Sequence, residues 1–172
     1  CVKCSIKCVE TNFFTYIMFG FTTISVDSKG RLAIPAKYRE QLLVQNEANI
    51  VVTRDPQYPA LKIYPGSIWS KISSELQGLQ GLDPIVRNLQ WTILGNASVS
   101  SFDPNSRMLV LLSSELREYA EISKSTKVSI IGMGNKFEVW NEKNWEMRQT
   151  GGALSTEILE VVLPESLKTI SF

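Results

Sequence analysis

Histidine is absent from all 172 residues, and the three cysteines fall within the first eight positions. The chain therefore lacks the commonest general base and the commonest metal ligand of proteins. Cys1, Cys4 and Cys8 are spaced for a metal or an iron–sulfur cluster, but a fourth ligand would have to come from elsewhere in the chain. A reduced, unstructured extension explains these cysteines more simply, and we expect no bound metal and no cofactor.

Long apolar runs are also absent, since none approaches the roughly 20 residues that a membrane helix needs. The net charge is +1, which excludes a surface coated in basic residues but allows a local basic patch. Residues 1–17 lack the uninterrupted apolar stretch of a secretory signal, because Glu10, Thr11 and Asn12 interrupt it. We interpret residues 1–17 as an extension outside the fold.

One motif occurs twice in the chain. Asp27-Ser28-Lys29-Gly30-Arg31 and Asp103-Pro104-Asn105-Ser106-Arg107 each place an acid four residues before an arginine, and each precedes an apolar run. The two copies are 76 positions apart (103 − 27 = 76), and Tyr64 and Trp140 keep the same offset. Such a repeat indicates two copies of one supersecondary unit, which should share a core because each half alone is small.

Local patterns predict the elements of each repeat. Strands are expected at residues 21–26, 31–34, 50–53 and 61–64, and at 97–102, 107–112, 128–131 and 136–140, with short helices at 36–43 and 114–119 and a turn at 132–135. Ser67 and Asp83 are the predicted caps of two linking helices. The predicted organisation is an extension (1–17), a first repeat (22–66), linking helices (67–95), a second repeat (97–141) and a C-terminal helix and tail (142–172).

The acid–arginine turn has a structural and a functional interpretation. Structurally, Asp27 accepts hydrogen bonds from the turn and Arg31 pairs with it, while Gly30 supplies a positive φ. Functionally, the turn presents Lys29 and Arg31 to an anionic polymer, since arginine suits guanine or phosphate and a β-ribbon can enter the major groove of DNA. Retention of both the acid and the arginine in two copies favours the functional interpretation.

Two segments together resemble one protein family. Residues 26–35 (Val-Asp-Ser-Lys-Gly-Arg-Leu-Ala-Ile-Pro) and 134–140 (Gly-Asn-Lys-Phe-Glu-Val-Trp) resemble MraZ, the bacterial regulator encoded at the head of the division and cell-wall gene cluster. The resemblance implies a mainly β fold with short helices, in which two AbrB-like repeats form a pseudo-symmetric, swapped-hairpin, double-split β-barrel. It also implies a cytoplasmic, nucleoid-associated ring of identical subunits that binds direct repeats in double-stranded DNA and represses its own operon.

The resemblance also implies roles for individual residues. DNA contacts would come from Arg31, Lys29, Ser28, Arg107 and Asn105, while Asp27, Gly30 and Asp103 would stabilise the turns. The second copy departs from the family pattern, with Ser106 and Leu111 where glycine and proline are usual. Either the second turn is shifted or Arg107 points differently, so DNA contact by that turn stays open.

Two other classes of function remain to be weighed. A protein-interaction module of the antitoxin type would use the tail beyond Gly152 to bind a partner protein. An enzyme is disfavoured, because the chain has no histidine, no cysteine beyond position 8 and no phosphate-cradling glycine loop. The matched aromatics are expected to pack in the core or at a subunit interface rather than stack on bases: Tyr64, Trp69, Trp140 and Trp145.

Overall fold

The computed structural model describes residues 18–45, 47, 49–79, 83–101 and 107–151. The predicted extension, the second turn with Asp103 and Asn105, and the C-terminal tail lie outside the described residues. The chain divides into two compact units, Cys1–Glu142 and Lys143–Phe172. All strands and the first four helices belong to the first unit, and the last helix belongs almost entirely to the second.

The first unit alternates short antiparallel strands with short helices. In chain order the elements are β1 (Met18–Ser25), β2 (Arg31–Ala33), α1 (Ala36–Val44), β3 (Asn49–Arg54), β4 (Ala60–Pro65), α2 (Gly66–Gly78), α3 (Pro84–Ile93), β5 (Ser98–Ser101), β6 (Leu109–Leu111), α4 (Ser114–Tyr119), β7 (Lys127–Gly134) and β8 (Phe137–Asn141). The last helix of the chain is α5 (Glu142–Thr150). Each predicted strand and helix is present, with ends that differ by a few residues.

The strands are exchanged between the two repeats. Six of them form an antiparallel sheet in the order β1-β7-β8-β4-β3-β5, and β2 pairs with β6 in a separate two-stranded ribbon. The first strand of each repeat therefore lies beside the third strand of the other, β1 on β7 and β5 on β3. One continuous core joins side chains of the sheet, the ribbon and the helices, including the rings of Tyr38 and Phe137, which are in contact at a tilt of 47°.

The structure corrects the constant offset between the repeats. Across the ribbon, Leu112 N–H donates to the Gly30 carbonyl (2.9 Å) and Ile34 N–H donates to the Met108 carbonyl (3.2 Å). The two hydrogen bonds are related by the repeat if Met108 corresponds to Gly30 and Leu112 corresponds to Ile34. In the ribbon, the offset between corresponding residues is therefore 78 (108 − 30 = 78; 112 − 34 = 78). Ser25 and Ser101 keep the offset of 76, because each ends the strand before its turn. The second turn is therefore two residues longer than the first.

The turn predicted at residues 132–135 is present but begins later, because β7 continues through Gly134 before the chain reverses into β8. Met133 N–H donates to the Lys136 carbonyl (2.9 Å) across the turn, and Gly134 has a φ of +86°. In this stretch Gly132 faces Gly20 of β1, and a Cβ on Gly132 would overlap the Met18 carbonyl oxygen. Gly132 and Gly20 therefore let β7 and β1 approach closely, whereas Gly134 supplies the positive φ of the turn.

One helix cap is confirmed and one is wrong. Asp83 caps α3 by accepting a hydrogen bond from Ile85 N–H (2.8 Å), with Pro84 in the first turn. Ser67 does not cap α2, which begins one residue earlier at Gly66. Instead, both the backbone N–H and the hydroxyl of Ser67 donate to the Glu47 carboxylate. An acid from a preceding loop thus stabilises the positive end of the helix.

The predicted packing of aromatic side chains is confirmed for two of the four residues. Tyr64 and Trp140 are buried on neighbouring strands β4 and β8. Trp69 is half-buried on α2, with its ring centroid 5.8 Å from that of Tyr64. Burial also raises the pKa of Tyr64 to about 12, so its hydroxyl stays protonated at neutral pH.

Candidate nucleic-acid interface

The turn between β1 and β2 is organised by the carboxylate of Asp27. Its Oδ1 accepts hydrogen bonds from the backbone N–H groups of Lys29 (2.9 Å) and Arg31 (2.8 Å). Its Oδ2 accepts from Arg31 Nε (2.8 Å) and lies 2.7 Å from Arg31 Nη2. One side chain therefore fixes both the backbone of the turn and the direction of the guanidinium group.

Asp27 remains ionised at neutral pH. The backbone hydrogen bond from Arg31 contributes most to lowering the pKa of this carboxyl, and the side-chain hydrogen bond from Arg31 contributes next. Both side chains of the pair are partly exposed, at 37% each, so solvent weakens the energy of the pair itself. The pair orients Arg31, and the guanidinium keeps further N–H donors for another partner.

Gly30 lets the turn pass closely beneath a helix of the other repeat. Its φ of +82° lies in the left-handed region, where side chains are disfavoured. A Cβ there would lie 3.1 Å from Nε of Arg117 and 3.4 Å from the Leu112 carbonyl oxygen. Arg117 Nε also donates to that carbonyl (3.2 Å). The α4 helix of the second repeat thus packs against the turn of the first.

The turn itself carries polar and cationic side chains. Ser28 and Lys29 are exposed, and Arg31 is half-buried at the start of β2. The exposed Lys37 of α1 does not join them, because its Nζ lies 3.7 Å from the position of a Cβ on Gly20, near the other end of β1. The predicted site residues of the first turn are therefore close together in space, and its cations are open to solvent.

The second turn does not present its arginine in the same way. With the offset of 78, Met108 takes the position of Gly30, Arg107 that of Lys29, and Leu109 that of Arg31. Met108 has a left-handed φ of +47°, which costs a side-chain-bearing residue about 1–2 kcal/mol. Its side chain is fully buried, and this burial offsets the strain. Arg107 is exposed, but it does not occupy the place of Arg31.

The ribbon has one buried and one outward face. Leu32 and Val110 pair at its centre and are almost completely buried. Because successive residues of a strand point to opposite faces, the neighbouring residues face outward. These are Arg31 and Ala33 on β2 and Leu109 and Leu111 on β6, with Arg31 directly opposite Leu111 and Ala33 directly opposite Leu109.

Sequence reasoning missed two polar features of the structure. The contact of Arg117 with Gly30 depends on packing between repeats, and no local pattern reveals it. Asp55 is buried, yet its Oδ2 lies 2.9 Å from Lys62 Nζ and its Oδ1 accepts from the N–H groups of Gln57 and Tyr58. All these partners lie in or beside one loop, so Asp55 stabilises the loop between β3 and β4.

The sequence profile of the MraZ protein family, which is described as antitoxin-like, matches residues 17–85 and 93–151. Each segment contains one of the two predicted repeats and extends beyond it, and together the segments cover most of the chain. The chain belongs to the MraZ family. The predicted resemblance is therefore confirmed, and membership in this family also confirms that the chain is not an enzyme.

Relatives from several bacteria carry one printed name, transcriptional regulator MraZ. The protein of Nitrosomonas europaea is 44% identical over 128 residues, which cover 74% of this chain and 83% of the relative. That of Idiomarina loihiensis is 46% identical over 126 residues, covering 73% and 80%. That of Legionella pneumophila strain Corby is 38% identical over 152 residues, covering 88% and 97%. Within the described part of the chain, every helix is too short or too polar to span a membrane.

Proposed function

We propose that this chain is a sequence-specific DNA-binding transcriptional regulator that represses its own division and cell-wall operon. It would act in the cytoplasm, at the nucleoid, as a ring of identical subunits. The observation that carries this proposal is the turn at residues 27–31, in which Asp27 holds Arg31 at the end of an exposed two-stranded ribbon. The printed name of the relatives agrees with it.

The geometry suits the major groove of DNA, which admits a two-stranded β-ribbon. In this proposal Arg31 binds O6 and N7 of a guanine, or a phosphate, with a guanidinium already oriented by Asp27. Pre-orientation reduces the conformational entropy lost on binding. Lys29 and Ser28 then contact phosphate oxygens, which add affinity and set the register without reading sequence.

One chain alone has few cations near the turn, so it would bind DNA weakly. Affinity rises with the number of phosphates neutralised, and several subunits on one duplex multiply weak contacts. A ring that meets successive direct repeats supplies this multiplicity. We further propose that the sheet and the ribbon close around the shared core as the swapped-hairpin barrel that the family resemblance implies.

The second turn has a secondary role in this proposal. Arg107 and Asn105 contact phosphates, and Asp103 stabilises the turn. Arg107 stands at the position of Lys29 rather than that of Arg31, so it should add charge attraction more than base recognition. The first repeat therefore dominates sequence-specific binding.

The proposal is tested by Arg31→Ala in a gel-shift assay with the DNA upstream of this chain's own coding sequence. Arg31→Ala should abolish the shift, whereas Arg87→Ala, which removes an exposed arginine from α3, should leave it unchanged. Light scattering should give wild type and both variants the same assembled mass. Normal DNA binding by Arg31→Ala would refute the assignment of Arg31.

A second function of the antitoxin type is favoured by the family's description as antitoxin-like. In that function the tail beyond Gly152 would bind a partner protein. Deletion of residues 153–172 tests it by affinity purification from the native host, alongside the gel-shift assay. Loss of a partner with retained DNA binding would show that both functions coexist, and an unchanged set of partners would contradict the second function.

A further inference from the structure

The outward face of the ribbon combines a cation with exposed apolar side chains. Leu111 is 55% exposed and Leu109 is 41% exposed on β6. Leu111 lies directly opposite Arg31, and directly opposed residues on one face of an antiparallel pair have Cβ atoms about 4.5–5.5 Å apart. The guanidinium-bearing residue and the leucine are therefore close enough to meet neighbouring base pairs.

We propose that Leu111 and Leu109 bind the C5-methyl groups of thymines next to the base read by Arg31. This inference rests on the proposed DNA binding and adds to it a determinant of sequence. The thymine methyl group is the one apolar feature of a base pair in the major groove, and proteins read it through apolar side chains. Leu109 of β6 corresponds in the second repeat to Arg31 of β2 in the first. At this position β6 would therefore contact a thymine methyl group, whereas β2 provides a cation.

The charges around the leucines favour DNA over a second copy of the chain. The exposed face is bordered by Lys29 and Arg31 at the first turn, and the exposed Arg107 precedes β6. Two copies meeting through this face would bring their cations together, which is unfavourable. A DNA duplex instead offers phosphates to the cations and apolar methyl groups to the leucines, so it matches both parts of the surface.

The inference can be tested without changing the protein. A duplex of the chain's own upstream DNA is prepared in two forms, one with thymine and one with uracil in its place, which removes only the methyl groups. Wild type should bind the thymine form about fourfold more tightly for each methyl group that it contacts. This factor follows because burying one CH₂-sized group contributes ~0.8 kcal/mol to the free energy of binding. Equal affinity for the two forms would overturn the inference.

Variants then assign the preference to individual residues. Leu111→Ser, or Leu111→Ala as a milder change, should reduce the preference for thymine, and Leu109→Ser should reduce it further in the double variant. Val44→Ser, at a position on α1 that is 82% exposed, is the matched control and should keep the full preference. A full preference in the double leucine variant would overturn the inference. Absence of wild-type binding to the thymine duplex would refute the proposed function itself, and the inference with it.

Discussion

Replacement of Gly30 by alanine should destabilise the protein through two effects at one position. A left-handed φ of +82° costs an L-residue about 1–2 kcal/mol. The added Cβ would also lie 3.1 Å from Arg117 Nε, so Arg117 must shift and its hydrogen bond to the Leu112 carbonyl weakens, at a cost of about 1 kcal/mol. Alanine also lowers the conformational entropy of the unfolded chain, which offsets about 0.4–1 kcal/mol of this loss of stability.

The net expectation for Gly30→Ala is a loss of about 1–2.6 kcal/mol in the free energy of unfolding. For a chain of this size each kcal/mol lowers Tm by about 2–4 °C, so Tm should fall by roughly 2–10 °C. Thermal unfolding measures this, at one fixed protein concentration because assembly also shifts Tm. The DNA gel shift should weaken in parallel, since the same change distorts the turn that holds Arg31.

Gly78→Ala is the matched control for this prediction. Gly78 ends α2, has no positive φ, and has no heavy atom within 4 Å of the position of an added Cβ. Alanine there should stabilise the helix by about 0.5–1 kcal/mol and raise Tm. A Tm for Gly30→Ala equal to or above that of wild type would refute the account of how Gly30 and Arg117 fit together.

Two further predictions concern the carboxylates. The pKa of Asp27 is lowered below its ordinary value of 3.8, so its contribution to stability is present above about pH 3.8 and is lost as the pH falls through the lower, folded-state pKa. Wild type should therefore be more stable than Asp27→Asn at pH 7, with the difference shrinking in urea unfolding below pH 3.8; a constant difference down to pH 2 would contradict this. Lys62→Met should lower the free energy of unfolding by about 3 kcal/mol, because it leaves the buried Asp55 without its cation. Lys71→Met, at an exposed position on α2, should change it by less than about 0.5 kcal/mol, and an equal effect of the two changes would disprove a role for the pair.

Short-range patterns predicted most of the secondary structure. The alternation of apolar residues placed the strands, and the Asp83-Pro84 pair placed the start of α3, because these signals act within a few residues. Asp27, Gly30 and Arg31 could be selected from the sequence for the same reason, since the turn is closed by its own residues.

The register between the repeats could not be predicted from the motif. The acid and arginine of both copies match at an offset of 76, but the pairing of β2 with β6 follows the buried residues, Leu32 against Val110. A one-residue slip would expose these side chains, so their burial determines the register of β2 against β6. The two additional residues of the second repeat are then accommodated in its turn. Contacts between distant segments, such as Arg117 with Gly30, likewise follow from the exchange of strands.

The central claim is that the turn held by Asp27 binds DNA, and a salt titration tests it most directly. Affinity for the chain's own upstream duplex and for a scrambled duplex is measured across a range of salt concentrations, for wild type and Arg31→Ala. The account predicts that wild-type affinity falls steeply with salt, by a slope of about 0.9 per phosphate contacted, and that Arg31→Ala loses the preference for the upstream duplex. Salt-independent binding, or an undiminished preference in Arg31→Ala, would contradict it.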